Sequence, residues 1–324
     1  MSHPFDALTP DLVLDAVESL GYRSDARVLA LNSYENRVYQ IGLEDRPPLV
    51  AKFYRPDRWS DAVIREEHAF TRELAGYEVP VVAPLACRQD TLFQHAGFRF
   101  ALFPRCSGQP LQPDNPEQLF RLGQLLGRLH AVAASQSFRE RDTLEPARSG
   151  QAALDTLLDS GLMPKALRQP YSQLASELLR QITRAFQQTP CTFIRLHGDC
   201  HPGNILCQED HLWLVDFDDC QSGPAIQDLW MLLAGSRQER QLQLAELLEG
   251  YQESADFDTS QLRLIEPLRA LRLLTYSAWL ARRQDDPAFP RSFPWFGSEC
   301  YWQEQLRGLE EQRAALGGPP LSLY

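Results

Sequence analysis

The chain has no long apolar run. No stretch approaches the roughly 18 consecutive apolar residues of a membrane span, and the opening residues, MSHPFDALTP, lack a charged segment followed by an apolar one. These absences predict a protein that is neither inserted nor exported. It also has no C-x-x-C pair: its seven cysteines (Cys87, Cys106, Cys191, Cys200, Cys207, Cys220, Cys300) are odd in number and scattered. That argues against a disulfide framework or a zinc knuckle and favours a reducing cytoplasm. Positive charge is short, with a formal net charge of -11. A sequence-independent grip on nucleic acid or an anionic membrane, which needs clustered Lys and Arg, is therefore not expected. Internal repeats and low-complexity tracts are lacking too. What is there is a 324-residue chain, 44% hydrophobic and 23% charged. That is enough for one large or two ordinary globular domains.

Thr9 and Pro10 read as the N-cap and first turn of a helix that carries Leu12, Ala16, Val17 and Leu20 on one face and stops at Gly21. From Arg27 to Tyr54 the period changes. VLAL, RVYQIG and PLVAKFY are short β-prone runs parted by polar or Pro-containing turns, as in an antiparallel meander. Ser60 then caps a helix with Ala62, Phe70 and Leu74 among its apolar positions, and the pair DTLFQHAG and FRFALFP follows as strands. At PRCSGQP, Pro104 to Pro110, turn formers mark a boundary, and almost everything beyond it reads as helix. The exception is the 192–217 segment, where TFIRL, ILCQ and LWLVDF look like strands and QEDH like a tight turn. The stretch DDPAFPRSFPWFGSECYW is too apolar for a disordered linker.

On that embedded hairpin lie HGDCHPGN and VDFDD, which put Asp199 and Asn204 five positions apart and Asp216 and Asp218 just beyond. Phosphoryl transfer calls for these residue types. An Asp orients and deprotonates the attacking hydroxyl, while an amide oxygen and a carboxylate hold magnesium on the phosphates. The protein-kinase loop H-R-D-x-x-x-x-N, followed by D-F-G, has the same Asp-to-Asn spacing. That template also requires a strand Lys for the phosphates and a helix Glu to hold it. LVAKFY supplies Lys52, and REEH supplies Glu66 and Glu67. Glu67 is favoured because Phe70 and Leu74 follow it at +3 and +7 on the packed side, with Glu66 left open.

Together, HGDCHPGNIL with VDFDD, AKFYRP with the EEH helix, and GPAIQDLW resemble the aminoglycoside phosphotransferase and choline kinase superfamily, in which H-G-D-x-H-x-x-N replaces the protein-kinase loop. LNSYENRVYQ, KFYRPDRW, EPLRALRLL and DPAFPRSFPW more narrowly resemble a bacterial stress-response branch that phosphorylates protein. The segments run from about residue 31 to 295, nearly the whole chain. The resemblance implies an α+β, bilobal, protein-kinase-like fold, with an antiparallel sheet and one main helix in an ATP-binding lobe, 1–104, and a mostly helical catalytic and substrate-binding lobe, 105–324. It implies Asp199 as proton acceptor, Asn204 and Asp216 as Mg2+ ligands, Lys52 on the α- and β-phosphates with Glu67 holding it, and Ser33 touching ATP. Adenine is expected at Phe103 to Cys106. The phosphate-covering loop departs from G-x-G-x-x-G, since Asn32, Ser33, Tyr34, Glu35 and Asn36 take its place. Only a dozen residues separate Asp216 from Asp228, too few for a long phosphorylated activation loop.

Taken singly, these residues have plainer readings. Lys52 alone is a snorkelling strand lysine, Glu66 and Glu67 are a polar helix face, Asp216 and Asp218 are turn formers, and Asp228 is a structural anchor. His197 and His201 with Cys200 and Cys207 invite zinc, but Pro202 and Gly203 oppose the helix on which such a pair converges. His197 is expected to brace the loop, and the nearby cysteines to act as small fillers. The function expected is an ATP- and Mg2+-dependent kinase acting on Ser/Thr hydroxyls of protein, monomeric and cytoplasmic, in a stress response. The alternative is a kinase for a small alcohol such as choline, homoserine or an aminoglycoside. A dead nucleotide-binding module is disfavoured, because Lys52, Asp199, Asn204 and Asp216 are all present.

Overall fold

The computed structural model describes residues 5–31 and 33–323. Asn32, named above in the phosphate-covering loop, lies outside the described residues. The chain folds into two compact units: Met1–Asp142, Ile194–Ser222 and Glu246–Asp256 form the first, and Thr143–Phe193, Gly223–Ala245 and Phe257–Tyr324 the second. This division by compactness runs differently from a cut at 104/105, because the first unit takes in the helix after the sheet and the hairpin that carries HGDCHPGN.

The first unit begins with α1 (Pro10–Glu18), whose N-cap Thr9 accepts from the Leu12 amide. A five-stranded antiparallel sheet follows, built from β1 (Ser24–Ala30), β2 (Arg37–Leu43), β3 (Leu49–Phe53), β4 (Phe93–His95) and β5 (Phe98–Pro104), in the order β1-β2-β3-β5-β4. β3 is central, and Lys52 pairs with Val38 on one side and Ala101 on the other. Ile41, Ala51, Phe53, Phe100 and Leu102 bury one sheet face against Val13, Ala16 and Val17 of α1. On the opposite face Tyr54, Ile64, Leu92 and Ala101 make a smaller core with Trp59 and Phe103. Its helix, α2 (Asp61–Gly76), starts where Ser60 Oγ accepts from the Val63 amide, an N-cap worth about 1 kcal/mol. Its buried stripe is Ile64, Glu67, His68, Phe70, Thr71 and Leu74, whereas Ala62, expected to be packed, is exposed. A carboxylate therefore stands in the apolar stripe of α2.

After β6 (Gln109–Pro110) and α3 (Pro116–Ala133), the chain re-enters the first unit through β7 (Ile194–Leu196). The hairpin of β8 (Ile205–Gln208) and β9 (His211–Leu214) follows, with β6 pairing to β8. The sequence pattern extended the last strand to Phe217, but it ends at Leu214. Asp216 adopts a left-handed backbone (φ 61°), and Phe217–Asp219 close a 3-10 turn. The short polar side chain of Asp tolerates that conformation better than most.

The second unit is helical. α4 (Pro146–Asp159), α5 (Lys165–Gln188), α7 (Ile265–Ala281) and α9 (Glu299–Leu316) pack around Leu157, Ala175, Leu178, Ile182, Leu274 and Trp302. Between them come α6 (Arg237–Tyr251), whose last residues belong to the first unit, and the short α8 (Phe289–Ser292). Tyr301 and Trp302 of the aromatic stretch are core residues, and the Trp302 indole donates to the Leu162 carbonyl at 3.0 Å. No described helix is long and apolar enough to cross a membrane.

Candidate active site

The central strand and the buried stripe of α2 bring Lys52 and Glu67 together under the sheet. Lys52 is 6% exposed, and its Nζ lies 2.8 Å from Asp216 Oδ1, 3.2 Å from Asp218 Oδ1 and 3.8 Å from Glu67 Oε1. Burial works against its charge, but Asp216, Asp218 and Glu67 outweigh it and hold the ammonium pKa well above the usual lysine range. The Tyr54 ring adds a cation–π contact 5.2 Å from Nζ. Glu67 behaves in the opposite sense. Burial is its largest influence, and although Lys52 and Arg141 pull the other way, its carboxyl is pushed up to about 7. Glu66, one residue earlier, faces elsewhere and accepts the amides of Arg139, Glu140 and Arg141 at 2.7, 2.8 and 2.7 Å.

The HGD loop and the Asp216 turn meet through main-chain contacts. Gly198 has φ 86°, and a Cβ there would sit 2.1 Å from the Asp219 carbonyl, so only glycine permits this approach. The buried His197 ring spans the gap: Nε2 pairs with the Val215 carbonyl at 2.9 Å and Nδ1 accepts the Asp199 amide at 3.3 Å. Its ring lies 4.4 Å from that of Phe217. Asn204 Nδ2 donates to the Asp199 carbonyl at 3.0 Å, which leaves its carboxamide oxygen as the hard donor of that side chain. His201 Nδ1 accepts the Gly203 amide at 3.0 Å, and Nε2 lies 3.6 Å from Asp199 Oδ2. The Asp216 side chain is half exposed, the most open of Lys52's three carboxylates.

Several contacts have no counterpart among the sequence-based expectations. Asp218 is buried and receives Arg58 and Asn36 Nδ2 (3.2 Å) besides Lys52. Burial opposes its charge, but Lys52, Arg58 and Arg141 hold its pKa far below the usual carboxylate range. Arg58 also binds Asp219 (2.6 Å) and approaches Glu35 (3.6 Å), while Asn36 Oδ1 accepts the Arg55 amide at 3.1 Å. The loop that replaces G-x-G-x-x-G is thus tied to the VDFDD turn by side chains. Ser33 does not join the carboxylate cluster directly; its hydroxyl donates to the Asn36 carbonyl at 3.3 Å. Arg58 lies in KFYRPDRW and Asp218 is the second acid of DFD, but neither motif says which distant side chain it meets. Among the cysteines, Cys200, Cys207 and Cys220 are buried, and burial pushes the Cys207 and Cys220 thiols up, as inert packing residues require. Asp228, fully buried in the 3-10 turn Ala225–Asp228, belongs to the second unit.

This arrangement of a strand lysine, a helix glutamate, an HGD loop and a left-handed aspartate after a hairpin defines a kinase-type phosphotransferase. The chain belongs to the APH phosphotransferase enzyme family, whose model matches residues 27–265. It is 46% identical over 319 residues to Stress response kinase A of Salmonella paratyphi A, covering 98% of this chain and 97% of the relative. Over the same span it is 45% identical to the Serine/threonine protein kinase RdoA of Salmonella typhimurium and 44% to Stress response kinase A of Escherichia coli K12. The fold is shared with amicoumacin kinase hAmiN, solved with AMP-PNP, Ca2+ and Ami (TM-score 0.74, 19% identity, 97% of this chain and 95% of that one). It is also shared with a microcompartment-associated aminopropanol kinase (TM-score 0.71, 15% identity, 97% and 100%).

Proposed function

We propose that this kinase transfers the γ-phosphate of ATP, with Mg2+, to Ser and Thr hydroxyls of protein. The observation that carries the phosphate chemistry is the buried Lys52 ammonium held among Asp216, Asp218 and Glu67, next to a loop that presents Asp199 and Asn204. Lys52 would take the α- and β-phosphates, with Glu67 holding it in place. Asp199 would accept the proton of the attacking hydroxyl as its oxygen bonds to the γ-phosphorus and the bridge to ADP breaks. Ser33 would meet ATP from the loop, and the backbone at 103–106 the adenine. Residues 1–104 would form the ATP-binding lobe and 105–324 the catalytic and substrate-binding lobe.

The oxygen donors fit magnesium. Asp216 offers a half-exposed carboxylate and Asn204 a carboxamide oxygen, the hard ligands this ion takes. Among the described residues no three His, Cys, Asp or Glu side chains group into a metal site, so the ion would be held jointly with phosphate oxygens, as Mg2+ usually is. When bound, it would neutralise charge developing on the phosphates.

The protein acceptor is supported by relatives that match end to end, one of them described as a serine/threonine protein kinase. A role in stress response is supported by the names of the same relatives, and the enzyme would act as a cytoplasmic monomer. A small-alcohol acceptor is the second reading, favoured by the solved kinases for amicoumacin and aminopropanol. Incubation with Mg-ATP and either protein acceptors or a panel of small alcohols separates the two. Phosphoserine or phosphothreonine on protein, with kcat/KM above that for every alcohol, is expected. Transfer confined to an alcohol would overturn the protein assignment.

A further inference from the structure

Residues 138–142, between α3 and α4, are woven into the site by contacts the catalytic roles above do not use. Glu66 accepts three successive amides there, and the Asp142 carbonyl accepts the Ser222 amide at 2.9 Å. From this anchored segment the Arg141 side chain, 1% exposed, reaches three acceptors, two on α2 and one on the Phe217–Asp219 turn. Nε donates to the Val63 carbonyl of α2 at 3.1 Å, Nη2 to Glu67 Oε2 at 2.8 Å and Nη1 to the Asp218 carbonyl at 2.7 Å. Its guanidinium also lies 5.2 Å from the Trp59 ring. The two oxygens of Glu67 are thereby divided, Oε1 toward Lys52 and Oε2 toward Arg141. The Arg141 hydrogen bond at Oε2 restrains the carboxylate from rotating its other oxygen away from the lysine. The planar fork of arginine suits this task, since its donors diverge in fixed directions.

We propose that Arg141 is a positioning residue for phosphoryl transfer. It fixes Glu67 toward Lys52 and ties that pair to the Asp216–Asp218 turn, so the ion pair is assembled without a phosphorylated activation segment. This inference rests on the kinase reading of the site. It accounts for how so short a stretch as Asp216 to Asp228 suffices: the arginine that links helix to metal-binding turn is built into the fold.

The test compares wild type with Arg141→Gln, Arg141→Lys, Glu66→Gln, Glu67→Gln and the Arg141→Gln/Glu67→Gln double variant. Phosphoryl transfer, nucleotide affinity across pH and Tm are read for each. Arg141→Gln is expected to lower kcat/KM for ATP about 10²-fold, the scale of a misplaced catalytic group. It should also move the acid limb of the pH profile upward, because Glu67 loses a cation that supports its charge. Arg141→Lys should recover only part of the loss, since one ammonium cannot serve three separated acceptors. Glu66→Gln should shift activity the same way by less, and the double variant should fall no further than its worse single parent. A folded Arg141→Gln with wild-type kcat/KM and pH profile would overturn the inference, as would losses fully additive with Glu67→Gln. If Arg141→Gln does not fold, unchanged pH profiles in Arg141→Lys and Glu66→Gln would do the same. A wild type that binds Mg-ATP but transfers no phosphate contradicts the kinase reading alone, because the Arg141–Glu67 coupling is still read in nucleotide affinity. A wild type that binds no nucleotide overturns both.

Discussion

A buried lysine is tolerated only with its counter-charge, and Lys52 has three carboxylates around it. Removing one partner of such a cluster leaves uncompensated charge, a penalty of about 3–5 kcal/mol. Lys52→Met is therefore expected to lower unfolding free energy by that amount at neutral pH and to lose less as the pH is lowered, which urea titration at several pH values checks. Glu67 gives the site its own pH dependence. Its carboxyl is raised from 4.5 to about 7, chiefly by burial. Between those values the folded protein holds a proton that the unfolded chain has released, so this group's contribution to stability declines as pH rises through that window. The charged pair with Lys52 is complete only above it. We expect kcat/KM for ATP to rise with pH with an apparent pKa of about 7, and this limb to vanish in Glu67→Gln. A limb identical in both proteins would refute the assignment. That Glu67 rather than Glu66 faces Lys52 was legible from the spacing of Phe70 and Leu74. That Arg58, Asp218 and Arg141 join the cluster was not, because those contacts join residues far apart in the chain, as Arg58 with Asp218 and Arg141 with Asp218, and periodicity carries no information on such pairs.

At the scale of elements, the local rules held wherever a cap or a period was strong. Thr9 and Ser60 start their helices, and the runs at 37–42 and 48–54 are strands of one antiparallel sheet. The rules failed at the end of β9. There LWLVDF reads as one apolar strand, yet a left-handed Asp216 breaks it to turn a carboxylate toward Lys52. They gave α4 and α9 no bounds of their own, since both lie in the stretch beyond Pro110 that reads only in general as helix. Gly198 is the element-level requirement most open to test. Its Cβ would meet the Asp219 carbonyl, whereas Gly97, also left-handed (φ 87°), has open space around it. Gly97→Ala should cost about 1 kcal/mol, a backbone effect alone. Gly198→Ala should cost more than about 3 kcal/mol, since the HGD loop and the Asp216 turn must separate, and should lower kcat at least about tenfold. Equal Tm losses in the two variants would show that the close approach is not needed.

At the scale of the whole molecule, both the fold class and the family could be read from the sequence, because the motifs run through nearly all of it and match the APH family model over residues 27–265. The division by compactness was less legible. The sheet, α3 and the HGD hairpin fold into one unit, which holds Lys52, Glu67, Arg141, Asp199, Asn204 and Asp216 but not Asp228. Composition marks turns such as Pro104 to Pro110 but not the long-range packing that draws 194–222 back to the sheet.

The most direct measurement is transfer of labelled γ-phosphate from Mg-ATP by wild type and by Asp199→Asn, with nucleotide affinity determined alongside. Wild type is expected to label protein Ser and Thr. The variant should keep its ATP affinity while its turnover falls by about 10²-fold or more, as loss of a positioned base should produce. Near-normal turnover in Asp199→Asn would contradict the assignment of Asp199 and, with it, the mechanism.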